Sequence, residues 1–82
     1  MTSYGDARRS AAAHADLTRF VGTSSRVGLV LFDEDHQEQS VIEGEVVRIG
    51  VDSLLFRHEG MDEEISLATI SKRVLGDDVL SY

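Results

Sequence analysis

The run from Gln39 to Arg57, QSVIEGEVVRIGVDSLLFR, changes strand parity part-way along, and that change narrows the folds open to the chain. Ile42 and Val46 are apolar on one parity, whereas Val47, Ile49 and Val51 are apolar on the other. Side chains of a strand alternate between its faces, so the slip predicts a bulge or sharp bend between Gly44 and Val47. Gly44, set between Glu43 and Glu45, suits the corner, because a glycine inside a strand marks a kink or a close backbone approach. A tight reversal over Gly50 to Ser53 returns the chain as a second strand. A long strand bent at a glycine is how small barrels turn their corners.

The rest of the chain supplies shorter elements. Asp6 to Val21 reads as a helix, with Asp6 as N-cap, alanines in the middle and Gly22 as terminator. Ala13, Leu17, Phe20 and Val21 form its apolar stripe, which predicts a helix laid across a barrel mouth. Val27 to Phe32 is an apolar strand, followed by a polar loop, DEDHQE. Beyond Ser53 to His58, Glu59 to Asp62 reads as a hairpin turn around Gly60. Glu63 to Leu67 alternates, with Ile65 and Leu67 inward, and Ala68 to Ile70 makes a short helical turn. The chain closes with a strand over Ser71 to Leu75, a Gly76 to Asp78 turn and an apolar tail of Val79 and Leu80. The expectation is a mostly β protein, a small five-stranded barrel with one N-terminal α-helix. Residues 1–5 form a flexible N-terminus and 6–82 a single domain, the helix over about 6–21 and the barrel over about 26–82.

At 82 residues the core is thin, and without cysteine neither a disulfide nor a thiolate metal site can supplement it. No secretory h-region and no run of about 20 apolar residues is present, which predicts a cytoplasmic protein with no membrane association. The net charge of −7 is uneven: three arginines face two aspartates in residues 1–22, but five basic residues face thirteen acidic ones in residues 23–82. That imbalance disfavours generic duplex binding and favours a basic partner.

Catalytic patterns are weak. Asp33, Asp35 and His36 begin like a calcium loop, but Glu38 stands where the sixth-position glycine belongs and Gly44 where the twelfth-position glutamate belongs. His14 and His58 lack a second ligand at metal-binding spacing, and Ser24 and Ser25 sit in no nucleophile elbow. Glu43 and Glu45 share a strand face without a partner base. The reading is a non-enzymatic protein with no cofactor and no metal. Arg48, Arg57, Lys72 and Arg73 are the candidate partner contacts; their alternative role is cross-strand pairing with Glu43, Glu45 and Glu64. Phe32 and Phe56 read as core.

The order of a helix, FVG, VGLVLF, a polar loop, IEGEVVRIGVDSLLF, an acidic turn and EISLATISKRVL resembles the Sm-like, SH3-type small barrels. Two relatives fit: the LSm/Hfq set and the C-terminal domain of the ribosome maturation factor RimP. In the first, Gly44 matches the glycine of the bent second strand, and Asp52 matches the aspartate of the following turn. Ser53 stands where that family has asparagine, and Ser71-Lys72-Arg73 where it has an arginine-glycine pair. The RimP-like pattern is carried by Arg19 to Gly22, Gly44 to Val47, Asp52 to Leu54 and Ile65 to Leu75. The resemblance implies association with RNA or a ribosomal component, assembly as a homo-oligomer, and Asp52, Lys72 and Arg73 among the contacts. The expectation is therefore a non-enzymatic barrel associating with RNA or the ribosome; composition points to the alternative, an acidic protein-interaction module that binds a basic protein.

Overall fold

The computed structural model describes residues 4–35 and 37–82. Strand β2 (Glu38–Ile49) runs unbroken for 12 residues but serves two partners. Its first half pairs antiparallel with β1 (Val27–Phe32), from Glu38 opposite Phe32 to Gly44 opposite Val27. Its second half pairs with β3 (Ser53–His58), from Glu45 opposite Arg57 to Ile49 opposite Leu54. The changeover falls at Gly44, where a Cβ would stand 2.0 Å from the Arg57 carbonyl oxygen. Only glycine lets two backbones approach so closely. The register with β3 then shifts between Val46 and Arg48, leaving Val47 as the bulged residue. Bend and bulge together produce the parity slip, within the interval the sequence predicts.

Strand β4 (Met61–Ser66) pairs with β3, β5 (Ile70–Leu75) pairs with β1, and β6 (Asp78–Ser81) pairs with β5. The result is a six-stranded antiparallel sheet in the order β4-β3-β2-β1-β5-β6, bent at Gly44 but not closed. The expected five-stranded closed barrel is therefore corrected on both counts. Closure fails because the chain beyond Leu75 turns over Gly76 and Asp77 and lies along β5 as a sixth strand, covering the flank on which a barrel would close. Gly76 has φ +60, the positive angle a tight hairpin needs at its first turn position. Both free edges carry carboxylates, Asp62, Glu63 and Glu64 on β4 and Asp78 on β6, a common protection against edge-to-edge pairing.

The β3–β4 hairpin turns over Glu59 and Gly60, both at positive φ, 52° and 75°. Paired positive angles are those of a type I′ turn, which favours asparagine at the first position, whereas glutamate is strained there. Glu59→Asn is accordingly expected to stabilise the protein by roughly 0.5–1 kcal/mol, read as a higher melting temperature. A lower one would contradict the assigned turn.

Helix α1 (Tyr4–Leu17) begins two residues before the expected N-cap and continues as a 3-10 turn over Thr18–Phe20. Asp6 lies inside its first turn and pairs with Arg9 one turn on. Part of the segment expected to be a flexible N-terminus, Tyr4 and Gly5, is thus helical, while residues 1–3 lie outside the described residues. The expected stripe holds at Ala13, Leu17 and Phe20, all buried, whereas Val21 is exposed. These three pack with Val27 and Leu29 of β1, Val46 of β2, Leu54 and Phe56 of β3, and Ile65, Leu67 and Ile70. The helix so seals the concave side of the bent sheet. No helix among the described residues is long and apolar enough to cross a membrane.

Candidate functional site

Neighbouring residues of a strand point to opposite faces, and this separates the adjacent cations of β5. Arg73 faces the helix and is 1% exposed. Its Nε and Nη2 donate to the two carboxylate oxygens of Asp16 at 3.0 and 3.3 Å, and Nη1 donates to Asp78 at 2.8 Å. Tyr82 donates its hydroxyl proton to Asp16 at 2.6 Å, Arg19 pairs with the same carboxylate at 3.0 Å, and Arg73 sits over the Phe20 ring. Burial alone raises the Asp16 pKa, but the hydrogen bonds from Arg73 and Tyr82 outweigh it and hold the carboxyl below its ordinary value of 3.8. The hydrogen bond to Asp16 raises the Arg73 guanidinium further against its own desolvation. Burial, with Asp16 as acceptor, pushes the Tyr82 phenol up. This cluster ties α1, β5, β6 and the last residue together, and its guanidinium is closed to an outside ligand.

Lys72 lies on the outer face and pairs with Glu38 at 3.3 Å. Arg57 is on the other half of the sheet, held by both oxygens of Asp62 at 2.7 and 3.2 Å. Asp62 raises the Arg57 pKa, and Arg57 lowers that of Asp62. Arg48 shares the outer face of the β2–β3 half, opposite Leu55, and makes no ion pair among the described residues. Asp52 is elsewhere again, exposed at the β2–β3 turn. The five candidate contacts are therefore dispersed over two sheet halves, the helix-facing side and one turn. The expected pairing with Glu43, Glu45 and Glu64 is not what the structure has: Arg57 takes Asp62 and Lys72 takes Glu38, while those three glutamates make no ion pair among the described residues.

Arg48 lines a small hollow with Ile49, Leu55 and Glu64, and Asp52 lines a larger groove. That groove, of about 670 Å³, runs between α1 and the β2–β3 turn, with Ala7, Ala11 and His14 on one wall and Val51, Asp52 and Ala68 on the other. Its frame is pinned from several sides. Gly50 N–H donates to the Ser53 carbonyl at 2.7 Å, Leu67 N–H to the Asp52 carbonyl at 2.9 Å, and Arg9 Nε to the Ala68 carbonyl at 3.0 Å. Val51, in that fixed turn, is 84% exposed.

In the acidic loop, Asp33 accepts from the backbone N–H groups of Asp35 and Gln37 at 2.8 and 3.0 Å, so its carboxylate closes the loop. His36 lies outside the described residues. His58 contacts Glu63 at 2.6 Å across the hairpin, and Phe56 is fully buried, while Arg9 stacks over a half-buried Phe32 at 4.8 Å. No group of three or more His, Cys, Asp or Glu side chains among the described residues is placed to hold a metal ion. The Asp16–Arg73–Tyr82 cluster has no motif in the sequence, because its members lie 57 and 66 residues apart.

Fold and surface define a small, helix-backed antiparallel sheet whose accessible charge is acidic. No protein-family model, curated protein or solved structure matches the chain.

Proposed function

We propose that the protein is a non-enzymatic interaction module that binds a basic protein partner through its acidic surface. The observation that supports this is how the charges are spent. Arg9, Arg19, Arg57, Lys72 and Arg73 are each held by a carboxylate, while Glu43, Asp52, Glu59 and Glu64 are exposed and make no ion pair among the described residues. The field left for an approaching partner is negative, which speeds encounter with a cation-rich surface and repels a polyanion.

Association with RNA or the ribosome, implied by the Sm-like resemblance, calls for cations open to phosphate. Arg73 is buried and Lys72 and Arg57 are paired, which leaves Arg48 as a lone open cation among the candidate contacts. That is too little for a phosphate track, so the geometry favours the protein partner. Replacing Glu43 and Glu64 together with lysine tests the proposal. Both are exposed, so the fold is retained, and affinity for a fluorescein-labelled lysine-rich peptide is expected to fall by about tenfold or more. Unchanged affinity in the doubly substituted protein would overturn it.

A further inference from the structure

We infer that the groove between α1 and the β2–β3 turn is where the partner docks, and that it receives a protein segment presenting an apolar side chain beside a lysine or arginine. The inference rests on the acidic-module reading and adds the place and the recognition chemistry. Val51, Ala7, Ala11 and Ala68 make the groove apolar, and Asp52 puts an exposed carboxylate at its rim. An 84%-exposed valine cannot retreat, because hydrogen bonds at Gly50 and Asp52 fix its turn and Arg9 fixes Ala68, in the 3-10 turn Leu67–Thr69 that lies between β4 and β5. A preformed groove avoids much of the ordering cost of binding. Its 670 Å³ falls within the range of about 300–1,000 Å³ typical of ligand sites, and accommodates an apolar anchor.

Charge complementarity selects the occupant. Asp52 makes no ion pair among the described residues, and no lysine or arginine lines the groove to neutralise it. A cation beside the anchor satisfies that carboxylate, and the desolvated apolar contact around it strengthens the pair. A nucleic acid would meet the exposed carboxylate of Asp52, with Arg9 already committed to Asp6 and the Ala68 carbonyl and no phenylalanine, tyrosine or tryptophan in the lining to stack its bases.

The test is titration of the full chain with two fluorescein-labelled peptides, one alternating leucine and arginine, the other alternating serine and arginine, with amide chemical shifts mapping the contact. The leucine peptide is expected to bind more tightly and to shift Ala7, Ala11, Val51, Asp52 and Ala68. Val51→Asp and Asp52→Asn, both at exposed positions, are each expected to weaken it by roughly tenfold. Equal affinity in the Val51→Asp protein, or shifts confined to the Glu43 and Glu64 surface, would remove the groove and leave the acidic module standing. Failure of both peptides to bind would remove both. Shifts at Val51 and Asp52 on adding oligouridine would also overturn the assignment.

Discussion

Gly44→Val is expected to abolish the cooperative thermal transition, and Gly44→Ala to do nearly the same. The offending atom is Cβ, common to both substitutions: it would stand 2.0 Å from the carbonyl oxygen of Arg57 and 2.9 Å from its carbonyl carbon. Both obstacles are backbone, so no rotamer change relieves them. The β2–β3 pairing must open instead, and with it go contacts of Val46, Leu54 and Phe56, all at 3% exposure or less. The loss is expected to exceed about 4 kcal/mol, a large fraction of what a domain this small possesses. Gly50 supplies the control. A Cβ there would lie 3.4 Å from the Ser53 carbonyl oxygen, an ordinary contact, so Gly50→Ala should melt within a few degrees of the parent. A folded Gly44→Val protein with an unchanged melt would contradict the corner.

The second large effect is at Asp16. Asp16→Ala leaves the Arg73 guanidinium, 1% exposed, with only the largely exposed Asp78 as counter-ion, and strips Tyr82 of its acceptor. Removing one partner of a buried pair costs about 3–5 kcal/mol; the lower figure applies here because Asp78 remains. The double change Asp16→Leu with Arg73→Met should be less destabilising than Asp16→Ala alone, since no buried charge is then stranded. Chemical denaturation of the three proteins measures this, and a double variant worse than the single would contradict it. The same site gives a pH signature. The Asp16 pKa is depressed on folding, so its contribution is fully present above the ordinary value of 3.8 and is lost as pH falls through the folded one. Stability of the parent should therefore decline below about pH 4 more steeply than that of Asp16→Asn. Parallel acid profiles would show that the carboxylate is not held as described.

The sequence made the corner legible and left the closure of the sheet obscure. The Gly44 bend and the Val47 bulge change the parity of a single strand, a local signal. Barrel or open sheet depends on whether distant edges meet, and that hinged on four residues, Asp78–Ser81, which read as a tail rather than a strand. Lys72 and Arg73 look like one basic patch when read linearly. On a strand they face opposite ways, one toward Glu38 and the other toward Asp16, which is 57 residues distant and outside any local pattern. Asp52 stood out through the turn it occupies, yet its groove is shared with a helix whose exposed alanines gave no sign of it.

On the proposed function, the accessible surface selects a basic protein over RNA. The most direct measurement compares a labelled lysine-rich peptide with a labelled single-stranded RNA, by anisotropy, over a series of salt concentrations. The peptide is expected to bind at low salt and to weaken as salt screens the carboxylates, while the RNA fails to saturate at any concentration of salt. RNA that binds at physiological salt, and loses affinity when Arg48 and Lys72 are replaced by alanine, would contradict it.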